Sequence, residues 1–260
     1  MTHTPRPAQA SQQYITLSLH DGESVSGVLT LPLAPIAVVL ILQGSGNVAE
    51  NGDVSSPFLG QARTGMKAEP SVQVAEALAS VGIASFRYAK RGCEKSEQLK
   101  NQVIPHLRKD AKSAFQFLKT KFPELKAGIA GFSEGAILAL LVAQEAKIDF
   151  LCLLGLPTRE IDEILAYQFL SWPIELLFKK LKVSESGMLD PSVLPALEKD
   201  LLPLGQGTWA DHLAKNHQLS ITSHLLPVYR QLHAGVQALI AKDYGDWYQS
   251  MKELEPMAKI

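Results

Sequence analysis

The segment Ile36–Leu42, IAVVLIL, runs seven residues without a polar side chain. Branching at Cβ restricts χ1 in a helix and suits the pleated surface of a sheet. A strand that is apolar in every direction must be covered on both faces, as inner strands of parallel sheets are. Ile83–Tyr88 (IASFRY), Ala127–Gly131 (AGIAG) and Phe150–Leu154 (FLCLL) are shorter runs of the same kind. Between them stand segments with helical spacing: Ser71–Ser80, Lys109–Lys121 and Glu134–Glu145. In the second of these, Ala111, Ala114, Phe115 and Leu118 share one face. Strand and helix in alternation predict a mostly parallel sheet flanked by helices on both faces.

Ahead of that core, Tyr14–His20 and Ser24–Leu31 alternate apolar and polar residues around Asp21-Gly22, the pattern of a hairpin. Past Leu156 only helical periods remain, over Arg159–Gly235, interrupted at Trp172-Pro173, Asp190-Pro191 and Leu202-Pro203. The expected organisation is a polar tail over residues 1–13, an α/β core over 14–157, a helical cap over 158–235 and a C-terminal segment over 236–260.

Charge narrows the partners. With 25 basic and 26 acidic residues among 260, the formal net charge is -1, which gives no reason to expect nucleic acid or an anionic membrane. No apolar run approaches the roughly 20 residues of a membrane helix. The opening MTHTPRPAQASQQ has no apolar stretch of the kind a signal peptide carries. Cys93 and Cys152 form neither a disulfide framework nor a metal-ligand spacing, and a cytoplasmic location is expected.

The chemistry concentrates at Gly131-Phe132-Ser133-Glu134-Gly135. A strand that ends in G-x-S-x-G and opens a helix places its serine on a sharp turn above the sheet, with small neighbours letting strand and helix approach. The helix N-terminus then faces any anion that develops at the serine. Ser133 is the candidate nucleophile. Acyl transfer also needs two N–H donors for the oxyanion. The backbone of Glu134 is one candidate, and Ser45, just past IAVVLIL in Gln43-Gly44-Ser45-Gly46, is the other. Gly44-x-Gly46-x-x-Ala49 loosely fits a dinucleotide-binding fingerprint. However, Asn51-Gly52 and Pro57 break the helix that motif must open, and the next strand ends in Arg87-Tyr88-Ala89-Lys90 without an acid. No cofactor and no metal are expected.

LILQGSGNVAENGD, GIASFRYAKRGCEKS and GIAGFSEGAILAL together resemble the α/β-hydrolase superfamily, in particular its bacterial serine esterase-like hydrolases. Those proteins carry HGSG, RYDKRGxGxS and GHSEG at these places. The resemblance covers about Tyr14–Leu156, and the helical insertion looks like that family's cap. It implies an α/β-hydrolase fold, a small-molecule acyl substrate, Ser133 as nucleophile, and Ser45 and Glu134 as oxyanion donors. Gln43 stands for the family's His, Ala89 for Asp, Glu94 for Gly and Phe132 for His.

A serine nucleophile needs a histidine to take its proton and an acid to orient that histidine. In this fold both follow the serine in the chain, at the ends of later strands. No apolar, β-branched run follows Leu156, so the last strands of the sheet, with their acid and histidine, are expected to be missing. His212, His217, His224 and His233 lie in the helical region with Asp190, Asp200 and Asp211. Asp211 with His233 has the right order, but neither ends a strand. His20 and His106 precede the serine. Two functions follow: a serine hydrolase acting on ester-like or other acyl bonds, or a truncated, non-catalytic chain of the same descent.

Overall fold

A computed structural model of the chain describes residues 10–53, 68–93, 102–168 and 245–254. Six strands form one sheet: β1 (Ser11–Ser18), β2 (Ser24–Leu31), β3 (Ala37–Leu42), β4 (Ile83–Tyr88), β5 (Lys126–Phe132) and β6 (Phe150–Leu154), in the order β1-β2-β4-β3-β5-β6. The hairpin β1–β2 is antiparallel and β2 meets β4 antiparallel, whereas β4, β3, β5 and β6 run parallel. This is the mostly parallel α/β sheet expected from the alternation of runs.

The helices are α1 (Pro70–Ser80), α2 (Ile104–Lys121), α3 (Glu134–Ala143) and α4 (Ile161–Ala166), and residues 245–252 are helical as well. Alternation along β3 sends successive side chains to opposite faces. Val39 and Ile41 pack with Ala75 and Leu78 of α1. On the other face, Leu40 stands in register with Phe86 of β4, whose ring lies 5.0 Å from that of Phe117 in α2. Val38 to Leu42, all buried, therefore serve two layers at once, whereas Ile36, expected within the strand, precedes it and is exposed. By contacts within the chain, residues 1–56, 66–158 and 246–260 form one compact unit, and residues 57–65 and 159–245 form another. Of the second unit, residues 159–168, with α4, and residue 245 are described. No helix among the described residues is long and apolar enough to cross a membrane.

Two boundaries differ from expectation by three residues or more, the others by two at most. The hairpin starts at Ser11, three residues inside the expected tail, because the exposed Ser11, Gln12 and Gln13 pair with Leu31, Thr30 and Leu29. A polar strand on the outer edge of a sheet leaves no hydrophobic signal. Helix α2 begins at Ile104 rather than Lys109, with Pro105 in its first turn, where the missing N–H has no intrahelical partner to lose. Its buried Ile104 and Leu107 continue the stripe of Ala111, Ala114, Phe115 and Leu118.

Arg91 ties the hairpin to this helix. Its guanidinium, 1% exposed, donates from Nε and Nη2 to both Asp110 carboxylate oxygens at 2.6 Å, and from Nη1 to Asp21 at 2.9 Å. His20 Nδ1 stands 2.8 Å from Asp110 Oδ1, and Glu23 lies 3.7 Å from Arg91. Burial alone would lower the Arg91 pKa, but the hydrogen bonds with Asp110 and Asp21 outweigh it and leave it raised. Burial, reinforced by the Asp110 charge, pushes the Tyr88 hydroxyl up.

Removing Arg91 strands the Asp110 carboxylate in the core with His20 as its remaining partner. Arg91→Met is expected to lower unfolding free energy by about 3–5 kcal/mol, measured by urea denaturation. The Asp21 carboxyl is held at about 2, below its ordinary 3.8, chiefly by its hydrogen bond from Arg91. A depressed carboxylate stabilises the fold above its ordinary value, and that contribution is lost as pH falls from 3.8 through about 2. With 40% of the Asp21 side chain exposed, screening keeps the effect below about 1 kcal/mol. Asp21→Asn should therefore flatten slightly the acid limb of stability against pH in that window.

Candidate active site

Strand β5 passes into α3 through a single residue. Ser133 has φ 54 and ψ -119, and it is one of two non-glycine residues with positive φ among those described. Such a conformation costs about 1–3 kcal/mol and persists where the surroundings enforce it. Here they do. A Cβ on Gly131 would lie 2.2 Å from the Gly135 carbonyl oxygen, and a Cβ on Gly135 would lie 2.3 Å from the Leu42 carbonyl oxygen. Both obstacles are backbone. The glycines at either end of the pentapeptide are thus required by the approach of α3 to β5 and to the end of β3. The Ser133 N–H donates to the Leu154 carbonyl at 2.9 Å, which fixes the turn to β6.

The end of β3 reaches the same place. A Cβ on Gly44 would stand 3.4 Å from Ser133 Cβ and 3.4 Å from Phe132 Cδ1, so the segment carrying Ser45 lies against the turn. Ser45 is exposed, Ser133 half-buried, and Phe132 projects with 59% of its surface free. Gln43, where the resembling family has histidine, is buried. Its Nε2 donates to the Ala49 carbonyl at 2.8 Å and reaches Ser71 Oγ at 3.5 Å, bracing the loop from within. Asn47 Nδ2 donates to the Cys93 carbonyl at 3.3 Å, and the Lys90 N–H donates to the Val48 carbonyl at 3.0 Å. The two loops after β3 and β4 are therefore laced together beside Ser133.

Glu134, the first residue of α3, is 1% exposed. Its Oε1 accepts from Lys90 Nζ and its Oε2 from Trp247 Nε1. Neither was singled out as a partner of Glu134: Lys90 lies in the family-like stretch GIASFRYAKRGCEKS, where nothing local pairs it with a residue of α3. The only trace of Trp247 is the spacing of Trp247, Ser250 and Met251, all buried, in the helical residues 245–252. Ser250 Oγ accepts the Ile104 N–H at 3.1 Å, closing one of the open donors at the start of α2. The described part of the C-terminal segment thus meets Glu134 and α2. Strand β6, last in the sheet order, leaves Phe150, Leu151 and Leu154 between 37% and 48% exposed.

Of the histidines considered as bases, His212, His217, His224 and His233 lie outside the described residues, as do Asp190, Asp200 and Asp211. His20 and His106 stand together, ring centroids 5.6 Å apart, with His20 bonded to Asp110. Among the described residues no group of three or more His, Cys, Asp or Glu is arranged to hold a metal ion.

No protein-family model matches the chain, and no curated protein matches it. Solved structures do. A dienelactone hydrolase from Anabaena variabilis is 20% identical over 56% of this chain and 63% of its own, with a TM-score of 0.44. An esterase from Pyrococcus furiosus is 20% identical over 66% of this chain and 61% of its own, also at 0.44. An α/β serine hydrolase without a lid from Xanthomonas campestris is 18% identical over 59% and 64%, at 0.42. The chain spans less than two thirds of the length of each of these three proteins.

The geometry sets two opposed expectations for stability. Gly135→Ala forces its methyl group into the Leu42 carbonyl and should cost about 1–3 kcal/mol or more, or prevent folding. Ser133→Gly relieves the positive φ and should be more stable than Ser133→Ala, which keeps a Cβ, by about 1 kcal/mol. Paired thermal denaturation of the two Ser133 variants measures the strain held at the turn.

Proposed function

We propose that this chain is a serine hydrolase of the α/β-hydrolase class, acting on ester-like or other small acyl substrates through Ser133. The observation that carries the proposal is the strained serine at the head of α3, with the loop of Ser45 packed against it. Ser133 Oγ attacks the acyl carbonyl, and the carbonyl π electrons move to oxygen. The backbone N–H groups of Glu134 and Ser45 receive that oxyanion at the helix end. Collapse of the tetrahedral species expels the alcohol or other leaving group, and water then releases the acid from the acyl-enzyme. The Ser133 proton must pass to a base, and the described residues supply no histidine hydrogen-bonded to Ser133. If no base completes the site, the oxyanion donors and binding still leave about 10³–10⁴-fold catalysis over water.

A fluorophosphonate probe tests this without knowledge of the substrate. Ser133 Oγ displaces fluoride from phosphorus, forming the Oγ–P bond and releasing a proton. Labelling of the purified chain at Ser133, absent from Ser133→Ala, is the expected result, together with Ser133-dependent turnover of an activated ester. An unlabelled wild-type chain would instead favour a protein of the same descent that binds acyl compounds without turning them over.

A further inference from the structure

The two candidate oxyanion donors belong to different parts of the chain, and one residue is bonded to both parts. Lys90 donates its backbone N–H to the Val48 carbonyl, three residues past Ser45, and its side-chain ammonium to the Glu134 carboxylate. Lys90 is 5% exposed and Glu134 1%, so this is a buried ion pair, completed by the indole N–H of Trp247 on the second carboxylate oxygen. Each oxygen of the Glu134 carboxylate thus has its own donor, from elements 44 and 113 residues away in sequence.

The arrangement also settles a conflict of charge. A carboxylate in the first turn of a helix ordinarily gains from the partial positive charge there. At α3 the same helix end is to meet an anion at Ser133, so an unpaired Glu134 would oppose the charge its own amide has to receive. A buried ion pair adds little to stability over apolar residues of equal volume, and a hydrocarbon pair could fill this space. Placement beside the reacting serine gives the charge pair another use.

We propose that Lys90 and Trp247 are positioning residues for the Ser133 turn. They hold the Glu134 carboxylate neutralised at the root of α3 and set the spacing between the Ser45 loop and the Glu134 amide. The proposal deepens the reading of Ser133 as nucleophile and rests on it. Lys90→Met leaves the carboxylate unbalanced. Lys90→Met with Glu134→Gln removes both charges and keeps the side-chain volumes.

Three variants of the full chain, Lys90→Met, the double variant and Trp247→Phe, are compared with wild type by fluorophosphonate labelling. The rate is corrected for the folded fraction, and amide hydrogen exchange is followed across residues 131–137. Lys90→Met is expected to slow saturating labelling by about tenfold or more, with the half-saturating probe concentration little changed. The double variant should regain most of that loss, which a role confined to stability would not produce. Trp247→Phe should loosen exchange at Ser133 and Ala136, whose N–H groups bond to Leu154 and Ser133, by about tenfold while β1 and β2 keep wild-type protection.

Wild-type labelling rates in folded Lys90→Met overturn the proposal, as does a double variant no faster than the single one or unchanged exchange at the turn. A wild-type chain that takes no label overturns the nucleophile reading and this proposal with it. That failure is distinguished by the exchange measurement, which needs no label.

Discussion

Where β5 becomes α3, three stretches of backbone approach one another too closely for any side chain. Gly131 faces the Gly135 carbonyl, and Gly135 faces the carbonyl of Leu42 at the end of β3. Everything around the candidate site depends on that convergence. It bends the chain through Ser133 at positive φ, brings Gly44 alongside, and points the start of α3 toward the space above the sheet. The cost of the bend is met by the sheet, since β5 is paired on both sides, with β3 and with β6.

The parts of this design that depend on local pattern were legible in the sequence. β4 and β6 run between the residues their apolar runs predicted, and G-x-S-x-G marked the turn because its glycines answer a steric demand that no other residue meets. The start of α2 was harder to see, because Pro105 reads as a breaker unless it falls in a first turn. Lys90 and Arg91 stand in a family-like motif, but their burial and pairing were illegible for a different reason. Adjacent cations in a polar loop look solvated, and both are buried. Their partners, Glu134 and Asp110, lie 44 and 19 residues away, beyond any local period.

Lys90 and Arg91 also show one short run serving two ends of the molecule. Lys90 turns to the head of α3, whereas Arg91 turns to Asp110 in α2 and to Asp21 beside the hairpin. Between β4 and this pair, Ala89 donates its N–H to the Ser26 carbonyl at 2.8 Å and is itself buried. The resembling family has an aspartate there. Here that buried position is apolar, and the charge of the loop is balanced by carboxylates from α3, α2 and the hairpin.

The indole of Trp247 stands 113 residues downstream of the carboxylate it meets. During synthesis, all six strands of the sheet and α3 emerge before it, when Glu134 can already meet Lys90 but not yet the indole. Closing so long a loop is slow compared with local pairing, although its entropic cost grows only with the logarithm of its length. The head of α3 is thus among the last places in the described core to receive its full set of bonds. A nascent chain can hold its sheet while the ground beneath its serine is still unfinished.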